Sequence, residues 1–82
     1  MYNIIISKKA LKFIKKQPLE RQKALLIAIK TLPEGDTKPL KGHSDTYRLR
    51  VGTYRIIYTI DDGIMTICVI DAGNRGQIYK RY

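Results

Sequence analysis

Acidic residues are scarce in this chain, and cysteine is scarcer. The 82 residues hold 7 Asp and Glu against 16 Lys and Arg, a formal net charge of +9. The one cysteine, Cys68, excludes an internal disulfide. It lies in an apolar run, where a small buried thiol is expected rather than a nucleophile. Long hydrophobic runs are also missing. The opening MYNIIISKK sets three isoleucines before two lysines, too few for a signal h-region or a membrane span. A cytoplasmic protein with no membrane partner is the expectation. The one histidine, His43, stands among prolines and glycines and is expected in a surface loop. No pattern of metal ligands and no cofactor motif is present, so neither a metal nor a cofactor is expected. Repeats, linkers and low-complexity tracts are absent too, and residues 1–82 are expected to form one domain.

What is there begins with an apolar share of 44%, ordinary for a globular chain and too high for disorder. The charge is not ordinary. So large an excess costs stability through self-repulsion, and it points to a polyanionic partner or an acidic protein partner. Solubility alone needs less.

Local patterns give the order of elements. YNIIIS reads as a strand rich in β-branched residues. Ser7 fits an N-cap for the helix KKALKFIKKQ, whose Ala10, Leu11, Phe13 and Ile14 fall on one face. Pro18 ends that helix and starts PLERQKALLIAIKTL, with Leu25, Ile29 and Leu32 on one stripe. The segment 33–45, PEGDTKPLKGHSD, reads as a loop. Strands follow at 46–51, 54–61 and 64–71, then the short tail AGNRGQIYKRY. The order β-α-α-β-β-β predicts an α+β fold, a small antiparallel sheet with a two-helix hairpin packed on one face.

Turn chemistry extends this to side-chain positions. Gly52-Thr53 fits a two-residue type II′ turn, which pairs Val51 with Tyr54, Arg50 with Arg55, Leu49 with Ile56 and Arg48 with Ile57. Arg48, Arg50 and Arg55 then share one exposed face, and Leu49, Ile56 and Tyr58 face the helices. Asp62-Gly63 fits a type I′ turn, which pairs Ile57 with Cys68 and Arg55 with Ile70. Arginines directly opposite each other repel, and residues 44–60 offer only Asp45 to offset them. An anion site is the better reading, because guanidinium forks match phosphate oxygens in pairs. Arg75 follows the last strand after Gly73, where the chain can turn back over the same end of the sheet. Tyr79 lies four residues on. Near positive charge its hydroxyl is a usable base, or its ring is simply a packing aromatic.

The stretch YRLRVGTYRIIYTIDDG, followed by a strand and GNRGQIY, resembles the RelE branch of the RelE/ParE superfamily of bacterial toxins. The resemblance covers nearly the whole chain. It implies the toxin of a type II toxin–antitoxin pair, a ribosome-dependent endoribonuclease that cuts mRNA in the ribosomal A site. There the 2′-hydroxyl attacks the adjacent phosphate and leaves a 2′,3′-cyclic phosphate and a 5′-hydroxyl. The implied catalytic residues are Arg48, Arg50, Arg55, Arg75 and Tyr79. The implied partners are mRNA, the ribosome and an acidic antitoxin, in a hetero-oligomer. Two departures stand out. Some relatives have lysine where Arg48 and Arg50 stand, and arginine does not act as a base. Many have histidine or lysine where this chain has Asn74, which cannot act as an acid. Alternatives are a ParE-like inhibitor of DNA gyrase and a non-catalytic RNA-binding module, which would bind with steep salt dependence but not cut.

Overall fold

The computed structural model describes residues 2–82. It contains β1 (Asn3–Ile6), α1 (Lys8–Lys15), α2 (Leu19–Lys30), β2 (Thr37–Pro39), β3 (Thr46–Val51), β4 (Tyr54–Asp61), β5 (Thr66–Asn74) and α3 (Arg75–Ile78), with a 3-10 turn at Tyr79–Arg81. The five strands form one sheet in the order β1-β5-β4-β3-β2. β3, β4 and β5 make the expected antiparallel meander. β1 joins it parallel to β5, so the α+β sheet is mixed. That direction follows from the connection. The chain leaves β1, crosses the sheet through both helices and returns on the far side, as a parallel partner requires.

The helices start and stop where their end residues dictate. Ser7 Oγ accepts the Ala10 N–H at 3.1 Å and donates to the Ile70 carbonyl at 3.0 Å, which ties the start of α1 to β5. Pro18 caps α2, its carbonyl accepting the Gln22 N–H. Ala10, Ile14, Leu25, Ile29 and Leu32 are buried against Leu49, Ile56, Tyr58, Ile67 and Val69 on one sheet face. Two aromatic contacts finish this core. Phe13 meets Tyr54 edge-on at 5.9 Å between ring centroids, and Tyr47 stacks on Tyr58 at 5.5 Å.

The first hairpin has the expected register at every pair from Arg48↔Ile57 to Val51↔Tyr54. Gly52 takes φ 59 while Thr53 stays out of the left-handed region, the pattern of a type II′ turn. The second hairpin does not close at Asp62-Gly63. Asp61 Oδ1 accepts the Gly63 and Ile64 N–H groups, and Met65, at φ 50, ends a longer loop. A side chain that caps its own turn replaces the two-residue geometry. Asp61 therefore pairs with Thr66, and a bulge at Ile70 shifts the strand again. Ile57 faces Asp71 rather than Cys68, and Arg55 faces Gly73 rather than Ile70. Cys68 itself is half-buried rather than buried. A short strand, β2, also lies inside the segment read as a loop, paired with β3 at the sheet edge.

Candidate phosphate-binding face

The face away from the core carries the arginines. β2 continues the ladder outward, so Lys38 stands opposite Arg48. Arg48 faces Ile57 and Arg50 faces Arg55. The shared face is as expected, but its exposure is graded. The Arg50 side chain is 54% exposed and that of Arg48 13%. Arg55 is buried, at 7%. Its Nη1 donates to the Gly52 and Tyr54 carbonyls, both at 2.8 Å. Arg55 thus braces the hairpin turn as well as lining the face. Its remaining donors bond to no described residue. No buried side-chain nitrogen or oxygen among the described residues lacks a partner, so the rest of the fork meets solvent.

A carboxylate also stands among the arginines, contrary to the expectation that none was near. Asp36 Oδ2 accepts Arg50 Nε at 2.5 Å, and Oδ1 accepts Arg48 Nη1 at 3.4 Å. The Asp36 carbonyl takes a second bond from Arg48 Nη1 at 3.0 Å and one from the Arg50 N–H at 2.9 Å. The Arg50 hydrogen bond, helped by Arg48, holds the Asp36 carboxyl below the usual carboxylate range. Reading 33–45 as a loop hid this residue, although the alternation in DTKPL was a signal for a short edge strand.

The tail lies back over this same face. The Arg75 N–H donates to the Thr53 carbonyl at 2.8 Å, which brings Arg75 to the turn that Arg55 braces. The Arg75 side chain is exposed and makes no salt bridge to a described residue. Ile78 is buried over Gly73, where a Cβ would stand 3.2 Å from the Ile78 Cδ1. A side chain there would crowd Ile78 by a few tenths of an ångström, which glycine avoids. Tyr79 follows, 39% exposed. Arg50, Arg55 and Arg75 therefore gather at one end of the sheet. Arg48 is drawn toward the edge by Asp36, and Tyr79 is held at the surface of the tail.

Asp71, placed by the bulge, anchors that tail. It is 1% exposed and accepts Arg81 Nε at 3.0 Å, Arg81 Nη2 at 3.2 Å, the Tyr82 hydroxyl at 3.2 Å and Lys9 Nζ at 3.3 Å. The Ala72 N–H adds a bond at 2.9 Å. Burial alone would push this carboxyl up, but the bonds from Arg81, Ala72 and Lys9 outweigh it and hold it below the ordinary range. The Tyr82 ring meets His43 edge-on at 5.5 Å. His43 is exposed in its loop, as expected, yet it closes over the tail. Asp71 and Arg81 were missed because the simple register set Asp71 opposite Tyr54, on the core face, whereas the bulge sets it opposite Ile57. Among the described residues no cluster of three or more His, Cys, Asp or Glu is placed to hold a metal ion. No helix among them is long and apolar enough to cross a membrane.

A five-stranded sheet backed by two helices, with a basic face beneath a folded-back tail, is the build of small protein toxins that work in toxin–antitoxin pairs. Residues 4–79 match the family model of the ParE toxin of type II toxin–antitoxin systems. A Methanocaldococcus jannaschii protein that carries the name toxin RelE1 is 37% identical over 75 residues, covering 80% of this chain and 83% of that protein. The Mycobacterium tuberculosis RelBE2 toxin–antitoxin complex contains a chain that superposes with a TM-score of 0.79 at 26% identity, covering 90% of this chain and 98% of that one. The RelB–RelE complex of Methanococcus jannaschii gives 0.77 at 26% identity, with 95% and 98% covered. The chain belongs to the RelE/ParE superfamily of type II toxin–antitoxin toxins.

Proposed function

We propose that this toxin is a ribosome-dependent endoribonuclease that cuts mRNA in the A site. The observation that carries the reading is the hairpin register, which sets Arg48, Arg50 and Arg55 on one face with Arg75 entering beside the same turn. Several guanidinium groups on one face favour a phosphate, and favour it more as negative charge builds on the phosphorane. The exposed forks of Arg50 and Arg75 grip the non-bridging oxygens, and the free donors of Arg55 meet the same group from below. Tyr79 takes the proton of the attacking 2′-hydroxyl. The 2′-oxygen bonds to phosphorus, and the bond to the 5′-oxygen breaks with its electron pair. The products are a 2′,3′-cyclic phosphate and a 5′-hydroxyl. Asn74 has no proton to give the leaving oxygen, so that proton comes from Arg75 or from a ribosomal group. Free RNA is accordingly a poor substrate.

The second partner is an acidic antitoxin in a cytoplasmic hetero-oligomer, with residues 1–82 acting as one domain. The solved relatives named above are toxin–antitoxin complexes, and a chain of net charge +9 suits an acidic partner. Because the matching family model is that of ParE, inhibition of DNA gyrase is the second reading. Transcripts recovered from a translating extract separate the two. Cleavage at A-site codons is the expected result. Trapped gyrase–DNA breaks without transcript cleavage would replace the nuclease reading, and binding without either product would leave a non-catalytic RNA-binding module.

A further inference from the structure

The Asp36 carboxylate takes both guanidinium groups with separate oxygens, Arg50 through Oδ2 and Arg48 through Oδ1. Two oxygens of a phosphate would be gripped by these two forks in the same way. Asp36 is not there by accident of a loose loop. Its carbonyl is bonded to the Arg50 N–H, and Thr37 beside it pairs with Leu49. Gly35, at φ 104, turns the chain into this position. Yet the side chains themselves can part, since that of Asp36 is 41% exposed and that of Arg50 54%.

We infer that Asp36 is a specificity-determining residue, a built-in anion that holds the Arg48–Arg50 seat until a substrate phosphate displaces it. The inference rests on the nuclease reading above and adds a regulator to the same site. A carboxylate carries one negative charge, and so does a phosphodiester of relaxed RNA. Loosely held RNA therefore gains little by the exchange. A phosphate fixed in place by the ribosome, gaining charge as the phosphorane forms, competes better than either. Displacing Asp36 costs the same for any phosphate, so the discrimination comes from the ligand: the charge gained in the phosphorane and the ribosome's hold offset that cost, and relaxed RNA has neither. It also offsets the repulsion between Arg50 and Arg55 while the site is empty.

The test is equilibrium binding of a labelled 2′-O-methyl oligouridylate, which cannot be cut, across a salt series. Asp36→Asn keeps the backbone bonds and removes the charge. Binding should tighten on the order of tenfold at low salt, and the salt slope should steepen by about 0.7, the value for one added phosphate contact on a single strand. Asp62→Asn, at the distant turn, controls for the same change in net charge. Asp36→Glu should restore weak binding, and an added Arg50→Ala should abolish the gain. Asp36→Ser replaces Asp36→Asn if that variant melts below the assay temperature. Equal tightening by Asp62→Asn, or none by either Asp36 variant, would overturn the inference. Cleavage of A-site mRNA by the wild type is read in parallel. Its absence would remove the nuclease reading, and the salt slope would still decide whether Asp36 occupies an anion seat.

Discussion

Replacing Asp71 by Asn should release the tail from the sheet. The side chain is 1% exposed and accepts bonds from Arg81, Tyr82, Lys9 and the Ala72 N–H. A hydrogen bond to a charged group is worth about 1.5–3 kcal/mol when buried. The Lys9 and Arg81 side chains are 61% and 42% exposed, so their share is screened toward the surface-pair scale of about 0.2–1 kcal/mol each. Asparagine keeps one acceptor oxygen but turns an NH2 toward the Arg81 donors. The net loss should be about 2 kcal/mol, which lowers the melting point of a domain this size by roughly 10 °C. Thermal unfolding gives the melting point, and amide exchange over residues 75–82 tests where the loss falls. Exchange there should speed up while β3 and β4 stay protected. A double-mutant cycle with Arg81→Gln should give a coupling of about 1 kcal/mol. An unchanged melting point with unchanged tail exchange would refute the anchoring role of Asp71.

Three further outcomes follow from the same geometry. Arg55→Ala should lower the melting point, because it strips the bonds that brace the Gly52 and Tyr54 carbonyls, at about 1–3 kcal/mol; a scan showing a higher melting point would mean that relief from Arg50 dominates. Stability should fall with acid, since Asp36 and Asp71 both sit below the ordinary carboxylate range in the fold; their contribution is complete above about pH 5, where unfolded carboxylates are ionised, and drains away as pH falls through the unfolded and then the folded values. In an acid titration of unfolding, Asp71→Asn should flatten that slope. Association with the proposed acidic antitoxin should slow markedly between low and physiological salt, as screening removes long-range steering; a flat on-rate by stopped flow would count against a charge-guided encounter.

The core and the first hairpin were legible because each rested on a local rule with little slack. Ser7 capped α1, Pro18 began α2, and Gly52 fixed a two-residue turn that set Arg48, Arg50 and Arg55 on one face. The second hairpin was less legible because two turns compete for the same residues. Asp62-Gly63 fits a tight turn on composition, but the Asp61 carboxylate captures the Gly63 and Ile64 N–H groups instead. The bulge at Ile70 left no mark in the residue pattern, and it alone brings Asp71 onto the basic face. Both acidic residues that organise this face, Asp36 and Asp71, lie outside the arginine strands in sequence. A search for neutralising charge confined to residues 44–60 could not find them.

Single-turnover cleavage of A-site mRNA on programmed ribosomes tests the central claim most directly. Arg75→Ala and Tyr79→Phe suit it, because both side chains are exposed and carry little of the core. Removing the Arg75 charge should slow cleavage about a hundredfold, the scale of one donor to a developing oxyanion. Removing the Tyr79 hydroxyl should slow it by roughly 100- to 10,000-fold, the range of a positioned general base. Melting curves at the wild-type temperature would show that both variants remain folded. If both cut at the wild-type rate, the arginine face and its tail tyrosine are not the catalytic site.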